Sequence, residues 1–230
     1  MAPFDPRKAP YRRGMSNKSH ADHPAFSPQW WDHHYQGHPA AHDAPSPQLV
    51  AEVTDLAAGT ALDAGCGRGT DAVWLARRGW QVTAIDVSPT AVRAAEEFAA
   101  RQAPEVAPRI SWTVADLTVW EPAQQYDLVV SQYVHPDMPF GQFVARLARA
   151  VAPGGALLVV GHDHADHHSA AHAPQRASID LDTVTAALTD AMWEVRVAES
   201  RTRLLAPGAS RTSFHDVVVR AHRSEPGQPG

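Results

Sequence analysis

The chain of 230 residues sets 20 Lys and Arg against 25 Asp and Glu, a formal net charge of −5 at pH 7, and is 44% hydrophobic. That length suits one α/β domain with a sizeable core, and the lack of clustered Lys and Arg argues against a nucleic-acid partner. The apolar runs, about six residues long, fall far short of a membrane span, the first residues lack the apolar core of a signal peptide, and the single Cys66 excludes an internal disulfide.

In chain order, residues 1–26 are rich in Pro, Ser, His and charge and have little to bury, so a disordered tail is expected there. Ser27 suits an N-cap and Pro28 a first helical position, opening a short aromatic helix over 29–36 that Gly37 ends. Leu49, Val50, Val53 and Leu56 recur at helical spacing within 47–58. From there the pattern alternates. A strand ends at Asp63, a helix opens at Thr70 and runs to Gly79, and short Val/Ile/Leu-rich runs follow at 81–85, 110–114, 127–130 and 156–160. Ser88-Pro89 caps a further helix ending near Arg101. This is the βαβ signature of a doubly wound, mostly parallel sheet. A helix over 182–191 and alternating strands over 193–198 and 213–220 complete the core, and 223–230 form a polar tail. The domain is thus expected over 27–222, with 27–58 as a helical lid and 59–222 as the sheet core.

The most informative stretch is Asp63-Ala64-Gly65-Cys66-Gly67-Arg68-Gly69, a strand running through a glycine turn into a helix. Glycine is needed where the backbone takes positive φ and approaches a ligand with no Cβ between them. Asp86 follows about twenty residues after Gly65, the separation at which a second strand brings a carboxylate to a ribose. A dinucleotide fingerprint would read Gly-x-Gly-x-x-Gly, whereas here the glycines alternate. A nucleoside cofactor without a pyrophosphate fits better.

At these residues the chain resembles the class I S-adenosylmethionine (SAM)-dependent methyltransferases, whose first motif is Asp/Glu-x-Gly-x-Gly-x-Gly. The likeness continues through Asp86, Ala115-Asp116-Leu117, the strand from Tyr126 to Val130 and the Pro153-Gly154-Gly155 turn, and spans roughly residues 46 to 222. It implies a seven-stranded Rossmann-like sheet with the last strand antiparallel between the fifth and sixth. It also implies SAM as cofactor, S-adenosylhomocysteine as product, and contacts from Asp63, Gly65, Cys66, Gly67, Gly69, Asp86, Val87, Asp116, Leu117 and Ser131. Asp63 would face the ammonium or organise the loop, Asp86 would accept from the ribose hydroxyls, and Asp116 with the Leu117 amide would hold the adenine. Length and the aromatic N-terminal helix are similar to the compact thiopurine and tellurite-type members.

Trp30, Trp31 and Tyr35 stand outside the sheet pattern, where a lid or a plain packing helix are both open readings. Trp31 and Tyr35 share one helical face, and an aromatic face suits a sulfonium cation. Trp31 is therefore assigned to the cofactor, Tyr35 to the reacting centre and Trp30 to the acceptor. Tyr133 and His135 follow the fourth strand and should border the acceptor. His135 is the candidate general base, with a structural imidazole as the alternative. Residues 161–168, with His172 beyond, hold five imidazoles and two carboxylates; no fixed ligand template matches, so a solvated loop is expected and no metal, with His162 able to touch the acceptor. The chain is expected to be a cytoplasmic monomer or homodimer methylating a small molecule without nucleic-acid or membrane partners. A nicotinamide-dependent oxidoreductase and a SAM-binding module without turnover are the competing readings.

Overall fold

A strand covered on both faces must be apolar at every position, with neighbours pointing to opposite layers. Leu128 and Val130 point into one core layer and Val129 into the other; Leu158 and Val160 oppose Leu157 and Val159 in the same way, and Val218 opposes Val217 and Val219. The computed structural model describes residues 23–37, 44–163, 178–204 and 213–225. In chain order they form α1 (Pro28–Gly37), α2 (Pro47–Val53), β1 (Thr60–Ala64), α3 (Thr70–Arg77), β2 (Gln81–Asp86), α4 (Pro89–Gln102) and β3 (Ile110–Val114). There follow β4 (Tyr126–Gln132), α5 (Phe140–Arg149), β5 (Val151–Asp163), β6 (Ser178–Ile179), α6 (Leu181–Ala186), β7 (Trp193–Leu204) and β8 (Ser213–Arg223).

The strands order as β3-β2-β1-β4-β5-β8-β7, with the short β6 attached beside β5. β1 to β5 pair in parallel, and β8 runs antiparallel between β5 and β7. This is the α/β, Rossmann-like sheet expected, including the antiparallel final strand. One layer packs α2, α3 and part of α4 through Leu49, Val53, Val73, Leu75 and Ala99. The other packs α5 and α6 through Phe143, Val144, Leu147 and Val184.

Local chemistry sets the boundaries. Ser27 Oγ accepts the Trp30 amide at 3.2 Å at the start of α1, and Ser88 Oγ accepts the Ala91 amide at 3.1 Å at the start of α4. Several elements differ from expectation, among them β6, which was not anticipated, and β7, which runs on to Leu204. α2 stops at Val53, because the Thr54 hydroxyl binds the Val50 carbonyl at 2.6 Å and the Leu56 amide reaches back only to Val53. α6 begins one residue earlier and ends sooner, with Asp180 capping the Thr183 amide at 2.7 Å. β5 begins at Val151, which pairs with Tyr126 before an irregularity in register. α5 was not anticipated, although Phe143, Val144 and Leu147 lie at helical spacing and are all buried. Of the expected tails over 1–26 and 223–230, residues 1–22 and 226–230 lie outside the described residues, while Phe26 is buried and Arg223 still belongs to β8.

Candidate cofactor and acceptor site

Strand order reverses between β1 and β4, and in open α/β sheets the crevice at the carboxyl ends of such a pair is where ligands bind. Gly65 leaves β1 there with φ +89°, a region side chains rarely enter. Gly67 follows at φ +52°, and a Cβ on it would lie 2.9 Å from the Tyr35 hydroxyl oxygen. The turn is organised by the protein itself. The Gly65 and Cys66 amides donate to the Ile85 carbonyl at 2.8 and 2.9 Å, Gly69 donates to the Cys66 carbonyl at 2.9 Å, and Gly67 donates to Asp86 Oδ2 at 2.9 Å. These four amides are therefore bonded within the protein.

Three carboxylates surround the turn. Asp63, 3% exposed, accepts the Ala72 amide at the start of α3, while its Oδ2 has no hydrogen-bond partner among the described residues. Burial, and then the charges of Asp71 and Asp86, push its pKa well above the ordinary carboxylate range. Asp86 accepts the Ser88 amide on Oδ1 at 2.9 Å and Gly67 on Oδ2, and burial raises its pKa against those hydrogen bonds. Each oxygen keeps a second lone pair for a further donor. Asp116 closes a turn by accepting the Thr118 amide and hydroxyl at 2.9 and 2.7 Å. Burial holds the Cys66 thiol protonated, which suits a filler of the turn.

One cavity joins these residues to α1. Gly65, Asp86, Val87, Asp116 and Leu117 form one wall, and Phe26, Trp31 and Tyr35 face them. α1 is held down by Arg68, whose guanidinium donates to the Tyr35 carbonyl at 2.9 Å and lies 5.6 Å from its ring centre. Asp32 Oδ1 accepts from the Ser88 hydroxyl and the Thr90 amide. Burial first, with Asp86 and Cys66 adding to it, pushes the Tyr35 pKa up, so its phenol stays protonated.

Tyr133, Val134, His135 and Phe143 border the far end of the cavity. Tyr133 is held at φ +54° directly after β4, a conformation uncommon for an aromatic residue. Its hydroxyl donates to Asp216 Oδ2 at 3.0 Å, and Asp216 on β8 is fully buried. The His135 ring stacks on Trp31 at 5.9 Å and lies 5.1 Å from Phe26. Burial, then His162, lowers its pKa to about 4.

Among the residues singled out from sequence, Asp63, Cys66, Gly67, Gly69, Trp30, Ser131 and His162 do not line the cavity. Trp30 stacks on His34 at 5.5 Å. Ser131 is buried within β4, where alternation gives the wall position to its neighbour Gln132. His162 sits behind, 4.8 Å from the Tyr133 ring. Sequence reasoning missed Phe26, Asp32 and Asp216: no local motif marks them, and only the fold brings them in. Among the described residues no cluster of three or more His, Cys, Asp or Glu could hold a metal; His164, His167, His168 and His172 lie outside them. No helix of the described residues is long and apolar enough to cross a membrane.

Comparison with known proteins gives the site a family context. Residues 61–155 match the family model described as a methyltransferase domain. The chain is 33% identical over 142 residues to trans-aconitate 2-methyltransferase of Streptomyces avermitilis, covering 58% of this chain and 51% of that protein. It is 35% identical over 119 residues to magnesium-protoporphyrin O-methyltransferase of Rhodobacter capsulatus, covering 46% and 50%. Over 100 residues it is 36% identical to a ubiquinone biosynthesis O-methyltransferase of a Caulobacter species, covering 43% and 38%. The matches thus span about half the length of these relatives or less. Among solved structures, TehB from Haemophilus influenzae superposes with a TM-score of 0.65 at 17% identity, covering 85% of this chain and 66% of that one. A structure from the conversion of a disulfide bond into a thioacetal group during echinomycin biosynthesis does so at 0.65 and 24%, covering 86% and 92%.

Proposed function

We propose, from the match of residues 61–155 to a methyltransferase-domain family model, that the chain is a class I SAM-dependent methyltransferase that transfers the methyl group of SAM directly to a small-molecule acceptor, without a metal. The observation that carries this reading is the single cavity that sets Gly65, Asp86 and Asp116 against Trp31 and Tyr35, with Tyr133 and His135 at its far end.

The residues fit the cofactor. Asp63 Oδ2, buried and without a partner among the described residues, suits the ammonium of the methionyl group, which would relieve the repulsion among Asp63, Asp71 and Asp86. Asp86 has lone pairs left for ribose hydroxyls, and Asp116 with the Leu117 amide is placed for an adenine edge. With four turn amides already bonded inside the protein, a diphosphate would find few donors, which disfavours a nicotinamide dinucleotide.

When bound, SAM supplies an electrophilic methyl group on a sulfonium that leaves as a neutral thioether. The protein's part is alignment and exclusion of water. Trp31 and Tyr35 provide apolar and π surface above the site. Tyr35, kept protonated by burial, orients and covers and does not remove a proton. The named activities of three relatives, on trans-aconitate, on magnesium protoporphyrin and in ubiquinone biosynthesis, agree with a small acceptor, as does the acidic net charge.

Calorimetric titration with SAM and NADH, followed by an S-adenosylhomocysteine release assay over phenols, carboxylates, thiols and amines with and without chelator, tests the reading. Tight SAM binding with turnover insensitive to chelator is expected. Preferential NADH binding would overturn the cofactor assignment, and SAM binding without turnover on any acceptor would leave a binding module.

A further inference from the structure

Directly beyond β4 the backbone is strained. Tyr133 takes φ +54° while its amide donates to the Val160 carbonyl at 2.8 Å, and a bulky residue stays in that left-handed region only where its surroundings hold it. The holding group lies behind the cavity. Asp216 on β8 is fully buried, and its Oδ2 accepts the Tyr133 hydroxyl at 3.0 Å and the Gln48 side-chain amide of α2 at 3.2 Å. A carboxylate only accepts, so the Gln48 nitrogen must face Asp216, which leaves Gln48 Oε1 for the Arg201 guanidinium of β7 at 3.1 Å. Arg201 and Arg220 both engage Glu52, one helical turn further along α2. The carboxylate is thus fixed from α2 and β7, and its hydrogen bonds offset the cost of burying it.

The turn so held sets two contacts inside the cavity. Val134 fills the space that a side chain at Gly65 would need, and the His135 ring lies nearly parallel to Trp31 of α1, 5.9 Å away and inclined by 9°, with Phe26 at 5.1 Å. The direction of the backbone at Tyr133 therefore decides where this wall meets α1.

We propose that Asp216 is a positioning residue for the acceptor end of the cavity: through the Tyr133 hydroxyl it holds the turn after β4 in its left-handed form, which seats His135 on Trp31 and fixes α1 over the site. The proposal rests on the methyltransferase reading in calling that end the acceptor end, and goes beyond it in giving β8 a part in the site. Asp216 does not line the cavity; Tyr133 does. Without its hydroxyl, Tyr133 would keep its strained φ but lose its tether, and the backbone would relax to an ordinary region, carrying Val134 and His135 away from Gly65 and Trp31. Gln48 bonds the same oxygen and does not line the cavity, which makes it the control.

The experiment follows histidine NMR of the isotope-labelled, cofactor-free full chain, with His135 assigned through His135→Gln. In the parent protein His135, enclosed by Phe26 and Trp31 and with His162 6.5 Å away, should titrate at about 4. Tyr133→Phe should raise that titration by about one pH unit or more as the ring gains solvent, and amide hydrogen exchange over residues 28–37 should quicken. Asp216→Leu should give the same shift, and combining the two substitutions should add nothing further. Gln48→Met should lower the melting temperature yet leave His135 where it is, which a merely structural role for the cluster would not allow. If Asp216→Leu does not fold, the contrast between Tyr133→Phe and Gln48→Met still decides. A parent His135 titrating at the ordinary value of about 6.5, an unmoved His135 in folded Tyr133→Phe, or an equal shift in Gln48→Met overturns the proposal. Calorimetry of the parent protein with S-adenosylhomocysteine keeps the two readings apart: failure to bind it overturns the methyltransferase reading and leaves the histidine result standing.

Discussion

Asp32 on α1 accepts the Ser88 hydroxyl at 2.8 Å and the Thr90 amide at 2.9 Å, so a residue of the N-terminal helix completes the cap of α4. Ser88 Oγ itself accepts the Ala91 amide, which makes a chain of three groups from α1 to α4. Burial alone would raise the Asp32 pKa, but hydrogen bonds from Thr90, Ser88 and Gln36 outweigh it and hold the carboxylate below its usual range. Because Ser88 lies two residues beyond Asp86 and donates its amide to it, the seat of α1 and the proposed ribose contact share one turn.

Asp32→Ala should therefore destabilise the protein by about 1 kcal/mol, the usual worth of a cap, and lower turnover more than cofactor affinity. Thermal melting and initial rates measured on the same preparation decide it. Unchanged turnover with a lowered melting temperature would reduce Asp32 to a cap.

Deletion of residues 1–37 should leave the sheet folded, since neither core cluster includes a buried residue before Leu49. Turnover should fall ten-fold or more, about 1.4 kcal/mol in the barrier, because Phe26, Trp31 and Tyr35 are removed from above the cavity. A truncated protein that melts normally and turns over at full rate would show that α1 is no lid.

Replacing Asp86 with Ala removes an acceptor held by two backbone amides and is expected to weaken SAM and S-adenosylhomocysteine alike by about 1.5 to 3 kcal/mol. Calorimetry of both ligands checks this. The Gly67 amide also loses its partner, so a melting curve must accompany the titration.

Asp63 predicts a pH dependence. Its folded pKa is raised, so the cofactor-free protein binds a proton there more tightly than the unfolded chain does. Stability from this group is then greatest below the ordinary Asp value of about 3.9 and falls as pH rises towards the folded pKa. A cationic ligand reverses the preference: SAM binding should release a proton and tighten as pH rises through that window. Calorimetry in two buffers of different ionisation enthalpy measures the release; buffer-independent heats would remove Asp63 from the ammonium site.

Much of this protein is local and was readable residue by residue. Val, Ile and Leu runs mark strands because parallel strands are buried on both faces, and Gly65 and Gly67 mark the turn because their φ values are positive. Asp86 and Asp116 stand where they do because each directly follows or ends an apolar run. What the sequence could not display is which side chains meet across distance. Tyr133 and Asp216 are 83 positions apart and Asp32 and Ser88 are 56 apart, and no periodicity links either pair. α1 carried its aromatic residues in plain view, but only docking on α4 turns Trp31 and Tyr35 over the glycine turn and leaves Trp30 against His34.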